Sequence, residues 1–251
     1  MNINKTHQRN RKMVVSAILG AITIVLGMTP LGFIPLGVIN ATTMHIPVII
    51  ASIVEGPVVG AVVGLIFGIS SLLNAILKNP TPVSFVFFNP VVSVLPRVLI
   101  GITSYYAYNG FKKLEHKKLK NLSYIFWIII LGFLIFTLIK DLGKLDVVNT
   151  ILLVVFMVFS VGMIIYTKKS VEENFPVAIG AFIGSMTNTI LVLGSIYLIY
   201  AEKYMTTLNL PVDTARKAIL GISITSGIPE AILSVIITTA VVKALPKRRS
   251  F

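Results

Sequence analysis

The chain has 251 residues, of which 55% are hydrophobic and only 12% charged, whereas an ordinary soluble domain carries about 25% charged residues; this excludes a soluble globular fold and leaves a polytopic membrane protein. The net charge of +13 does not point to nucleic acid, because the basic residues cluster in short segments between apolar runs, the pattern of loops kept on the inner side of a membrane. Cysteine is absent, so no disulfide framework and no thiol chemistry are expected.

Lys5, Arg9, Arg11 and Lys12 precede the first apolar run, Met13 to Met28. That run ends in Thr29-Pro30-Leu31-Gly32 with no small-x-small cleavage pattern, so it reads as a retained helix and not a signal peptide. Ser16-Ala17 and Gly20-Ala21 form two small-xxx-small pairs, a spacing that lets another helix approach closely. Residues 29–43 are an uncharged external loop with Pro30, Gly32, Pro35 and Gly37, ending in Asn40, Thr42, Thr43 and His45. The loop is expected to fold back over the membrane surface as a lid, or to serve as a connector whose Thr43 caps the next helix. No second His or Cys stands at ligand spacing from His45, so no metal site is expected.

A short second helix, about Met44 to Val54, meets Glu55-Gly56-Pro57, a helix stop followed at once by a helix start. The third helix, Val58 to Leu77, carries Gly60, Gly64 and Gly68 as a packing strip, then Ser70, Ser71 and Asn74. Lys78-Asn79-Pro80-Thr81-Pro82 is an external turn. The fourth helix starts near Ser84 with Phe85, Phe87, Phe88, Asn89 and Pro90, and places Arg97 about 13 residues in, ~20 Å along the axis. Leu122 to Ile139 and Val147 to Tyr166, joined across Lys140 to Asp146, carry almost no polar residues and read as lipid-facing. They return the chain to the cytoplasm at Lys168-Lys169.

The next helix, about Phe175 to Tyr200, bears Gly180, Gly184, Ser185, Thr187, Asn188 and Thr189. After an external segment, Ala201 to Arg216, the apolar run Ala218 to Ala244 encloses Thr225-Ser226-Gly227-Ile228-Pro229-Glu230. Taken as one helix, that run puts Glu230 in the middle of the bilayer, where a charge costs roughly 2.5–3.5 kcal/mol and needs a partner. Arg97 at matching depth is the natural one, as an ion pair or through a ligand. With both termini cytoplasmic and eight crossings, the inner segments hold 15 of the 22 Lys and Arg residues, the outer ones six, and Arg97 is the remaining one; this asymmetry fits the rule that basic loops stay inside.

The sequence lacks a G-x-x-x-x-G-K-[ST] phosphate loop, an H-E-x-x-H helix and a G-x-S-x-G nucleophile elbow. Neither ATP hydrolysis nor another enzymatic activity is expected from it, and no cofactor is implied. It offers instead a set of polar residues at membrane depth, Asn89, Arg97, Thr187, Asn188, Ser226 and Glu230, the usual mark of a ligand path or of a structural bond.

The ordered set Gly32-Phe33-Ile34-Pro35, Thr43-Met44-His45-Ile46-Pro47, Glu55-Gly56-Pro57, Asn89-Pro90 with Leu95-Pro96-Arg97, and Gly227-Ile228-Pro229-Glu230 resembles the substrate-binding S-components of energy-coupling factor (ECF) vitamin transporters. The resemblance covers roughly residues 12–111 and 175–244. It implies an all-α membrane domain spanning 1–251, a six-helix bundle that binds a water-soluble vitamin near the outer face, with residues 122–166 as an inserted two-helix hairpin. It also implies partners: a coupling transmembrane subunit, contacted by an Ala17-x-x-x-Ala21 pair that resembles the family's AxxxA motif, two ATPase subunits, and the lipid bilayer around the chain, with no nucleic acid. Within the family the resemblance is to pantothenate subunits, with Asn40, Thr43, His45, Asn74, Asn89, Arg97, Asn188 and Glu230 as candidate substrate contacts. Arg97 suits a carboxylate, and Asn and Thr side chains suit amides and hydroxyls. A riboflavin or thiamine site would draw on aromatics such as Phe85, Phe87 and Phe88. A reading from another class is a self-sufficient proton-coupled carrier using Glu230 and Arg97, although such carriers often show two related halves and no convincing repeat is visible.

Overall fold

The computed structural model describes residues 2–29, 32–36, 39–77, 82–140 and 147–245. In chain order these form α1 (Asn2–Met28), β1 (Phe33–Leu36), β2 (Ile39–Thr42), α2 (Ile46–Glu55), α3 (Pro57–Leu77), a 3-10 turn (Ser84–Phe88), α4 (Pro90–Ser93), α5 (Leu95–Lys112), α6 (His116–Lys140), α7 (Val147–Thr207), a second 3-10 turn (Val212–Thr214), α8 (Ala215–Thr225) and α9 (Gly227–Ala244). Six helical segments are long and apolar enough to cross a membrane: Gln8–Met28, Pro57–Leu77, Pro90–Lys112, His116–Ile139, Val171–Thr207 and Gly227–Ala244. The chain is a multi-pass membrane protein. The turn expected at 78–82, the link through 141–146 and the basic tail beyond Leu245 lie largely outside the described residues.

The all-helical expectation needs one amendment. The loop ahead of α2 contains a two-stranded antiparallel hairpin, with Phe33 opposite Thr42 and Leu36 opposite Ile39. Pro35 is tolerated there because a two-stranded ribbon consists only of edges, where a missing backbone donor costs no central ladder bond. The hairpin base is closed by the Thr43 N–H donating to the Gly32 carbonyl at 3.0 Å.

Helix α2 is the axis of the bundle. It is apolar on every side, which is the pattern of a fully enclosed helix, and all its residues except Val54 are buried. Gly56 ends it with φ 102°, a conformation open to glycine at little cost, and Pro57 starts α3. The expected glycine strip then works as packing: a Cβ on Gly60 would meet Ser52, one on Gly64 the Arg97 carbonyl, and one on Gly68 the Val94 Cα at 2.6 Å. From the other side Gly101 of α5 lies against the Gly60 backbone, and the Ser52 hydroxyl donates to the Gly101 carbonyl.

The two charged residues that helix counting sets within unbroken helices stand instead next to helix breaks. The run from Ala218 is broken at Ser226, where Gly227 and Pro229 supply flexibility and a missing donor. Glu230 therefore lies in the first turn of α9. The fourth helix is likewise broken into the 3-10 turn, α4 and α5, with Pro96 at the second break, so Arg97 is in the first turn of α5.

Helix α7 runs for 61 residues with Pro176 inside it, where two separate helices were expected. It is not straight. Phe159 contacts Trp127 (5.7 Å between ring centroids), Trp127 contacts Phe126 (5.1 Å), and Phe126 contacts Phe182 (5.1 Å). Together these steps cover less than half of the ~35 Å that a straight helix puts between residues 23 positions apart. The chain thus turns back between Phe159 and Phe182 without leaving helical hydrogen bonding, near the proline that removes one ladder donor. The first part of α7 packs along α6, with His116 meeting Glu172 and the Ser123 and Thr167 hydroxyls hydrogen-bonded at 2.8 Å.

Candidate functional site

At the hairpin end of the bundle, four elements bring polar groups together: strand β2, the start of α2, the start of α5 and the start of α9. The Glu230 carboxylate accepts the backbone N–H of Thr42 at 2.8 Å. That bond ties the hairpin to a helix N-terminus, where the aligned peptide dipoles favour negative charge. Glu230 and Arg97 interact electrostatically but are not within ion-pairing distance, so the direct pairing expected from matched depth is not formed.

Arg97 is instead held by aromatic faces and a carbonyl. It is 6% exposed, its Cζ lies 5.3 Å from the Phe67 ring centre and 5.6 Å from that of Phe87, and Nη1 donates to the Val92 carbonyl at 2.5 Å. A cation is otherwise disfavoured at a helix N-terminus; here it answers a carbonyl at the end of α4 that the helix itself leaves open. The Arg97 Nε has no hydrogen-bond partner. The Phe67 and Phe87 contacts had no individual signal in the sequence beyond the aromatic content of the Ser84–Phe88 segment.

His45, at the N-cap of α2, is fully buried, makes no side-chain cap bond, and has neither ring nitrogen hydrogen-bonded. It lies within electrostatic reach of Arg97. Thr43 is buried beside it, and its carbonyl accepts the Ile46 N–H at 3.0 Å. Asn188 on α7 is buried with its Oδ1 unpartnered. Its neighbour Thr189 packs against Gly227, just ahead of Glu230.

The other candidates are engaged in holding elements together. Asn74 donates from Nδ2 to the Gly27 carbonyl of α1 at 3.3 Å. Asn89 caps α4, accepting the Val91 N–H at 2.9 Å, and its Nδ2 donates to the Tyr200 hydroxyl at 3.3 Å. Thr187 is bonded to Thr103 at 3.0 Å. Asn40 belongs to β2, but its side chain lies outside the described residues, as do those of Ser223 and Thr225. Ala17 and Ala21 are exposed on the surface of α1.

Buried polar atoms are nearly always hydrogen-bonded, and the exceptions need an explanation. Here Arg97, His45 and Asn188 all contribute unpartnered donors or acceptors at the hairpin end, a constellation suited to binding a polar solute and devoid of a nucleophile–base pair. A sequence profile described as "ECF transporter, substrate-specific component" matches residues 11–142, which takes in the hairpin, α2, α3 and Arg97. The chain is also 27% identical over 226 residues to "Pantothenic acid transporter PanT" of Lactococcus lactis subsp. cremoris (strain MG1363), an alignment covering 84% of this chain and 81% of that relative. With more than half its length matched by the profile and its polar groups gathered under the hairpin, the chain belongs to the substrate-specific components of ECF transporters.

Proposed function

We propose that this subunit binds pantothenate beneath the Phe33–Thr42 hairpin for uptake into the cell. The observation that carries the reading is the state of Arg97: a buried guanidinium between two aromatic rings, with Nε unpartnered and no ion pair to Glu230. A buried cation without a bonded counter-charge is costly. A ligand carboxylate supplies that charge and can take two parallel N–H bonds from the guanidinium. Pantothenate also carries an amide and two hydroxyls. The His45 ring nitrogens and the Asn188 Oδ1 offer further hydrogen-bonding positions for these groups. Thr43 stands beside His45 at the start of α2, Glu230 holds the hairpin, and Asn74 and Asn89 fix the surrounding helices. The name of the PanT relative supports the same substrate.

In this reading residues 122–166 form an inserted hairpin beside a six-helix core, the bend of α7 being its return, which gives eight crossings with both termini cytoplasmic. The coupling transmembrane subunit docks on Ala17 and Ala21, and two ATPases supply energy. Thermal stability of the purified protein against a panel of water-soluble vitamins tests the substrate. A ligand that binds only the folded state at 100 times its Kd adds about 2.7 kcal/mol, so pantothenate should raise the Tm. A rise with riboflavin or thiamine instead would discard pantothenate.

A further inference from the structure

A second cation rests on the same Ser84–Phe88 turn whose Phe87 lies against Arg97. The Lys203 Nζ lies 4.3 Å from the centre of the Phe85 ring. Phe85 meets Tyr200 edge-on at 5.8 Å, and the Tyr200 hydroxyl receives the Asn89 Nδ2 bond at 3.3 Å. Two residues along, Phe87 of the same turn lies against Arg97. One short aromatic segment therefore separates an exposed cation from a buried one. Lys203 also borders a surface recess shared with Tyr200 and Glu202.

We infer that Lys203, seated on Phe85 and beside Tyr200, forms an outer subsite that captures the substrate carboxylate before it passes the Ser84–Phe88 turn to reach Arg97. This rests on the carboxylate reading of the deeper site. The ring face fixes the ammonium by cation–π attraction while leaving its other side open to water. An exposed charge of this kind steers a diffusing anion and changes the association rate more than the final affinity. Glu202 on the rim of the same recess acts in the opposite sense by repelling the carboxylate. A 3-10 segment is a weakly bonded element, suited to shifting as the anion moves from one cation to the other.

The test is the association and dissociation kinetics of radiolabelled pantothenate on the full-length protein in nanodiscs, by rapid filtration, at low and high salt. Lys203→Gln should slow association about fivefold at low salt with dissociation unchanged, and the difference should vanish at high salt, where exposed charges are screened. Lys203→Arg should restore the wild-type rate, and Glu202→Gln should raise it. A Lys203→Gln protein that associates at the wild-type rate, or that changes only in dissociation or Tm, would overturn the subsite and leave Lys203 as a pin for the turn. Failure of the wild type to bind pantothenate at all would overturn the substrate reading and the subsite together, whereas binding with unaltered association overturns the subsite alone.

Discussion

The Thr42 backbone N–H and the Glu230 carboxylate meet at 2.8 Å across 188 positions of sequence, joining the hairpin over the site to the first turn of α9. A hydrogen bond to a charged group contributes roughly 1.5–3 kcal/mol, enough to hold a two-stranded ribbon that has no third strand. Glu230→Ala should raise the dissociation rate of pantothenate about tenfold, the equivalent of ~1.4 kcal/mol. Glu230→Gln keeps a side-chain oxygen for Thr42 and should fall between that variant and the wild type. A chase experiment measures both, and equal dissociation from all three proteins would remove the hairpin bond from the account.

Arg97 should be the most sensitive position in the site. Arg97→Ala removes the only buried cation set between Phe67 and Phe87 among the described residues, and losing one partner of a buried charged contact costs about 2–5 kcal/mol. Pantothenate binding should weaken by roughly 100-fold or more. Arg97→Lys should rescue little of it, because an ammonium cannot reproduce the planar stacking or the paired N–H bonds. Titration calorimetry decides this, and near-wild-type affinity in Arg97→Ala would sink the carboxylate contact.

The helix-crossing glycines give a stability test with an internal control. A Cβ on Gly101 would run into the Gly60 and Ala61 backbone, which cannot rotate away, whereas one on Gly132 meets nothing within 4 Å. Gly101→Ala should lower the Tm by overpacking worth about 1–3 kcal/mol. Gly132→Ala, on the open face of α6, should leave it unchanged or raise it, since alanine is the better helix former by ~1 kcal/mol. Thermal unfolding in one detergent compares the two.

Local chemistry made much of this fold legible in advance. Glu55-Gly56-Pro57 marked the α2–α3 turn, and Gly60, Gly64 and Gly68 marked a close crossing, because each depends on backbone rules confined to a few residues. Distance was less legible. Counting took the helices through Glu230 and Arg97 as unbroken, although Gly227, Pro229 and Pro96 had the means to break them and did. Counting also suggested the two charges as partners. The fold gives Glu230 a hairpin amide and Arg97 two aromatic rings and a carbonyl, contacts between segments far apart in sequence that no local pattern announces. The hairpin itself escaped notice because Pro35 and the short apolar runs around it read as irregular loop.

Helix α1 divides its small residues between two faces, so the proposed docking face can be tested apart from binding. Gly20 points inward, where a Cβ would come within 2.7 Å of the Ile66 Cδ1. Ala17 and Ala21 point outward among exposed Val14, Ile18 and Val25, a smooth strip that another helix can approach closely. Replacing Ala17 and Ala21 by Trp should leave pantothenate affinity within about twofold, because the site is not touched, yet abolish uptake in cells that supply the coupling subunits. Gly20→Leu should lower thermal stability by overpacking against α3. Vesicles containing this chain alone should accumulate no pantothenate. Accumulation there, or full uptake by the double Trp variant, would mean that the outer face of α1 is lipid-facing surface and that the energy for transport enters elsewhere.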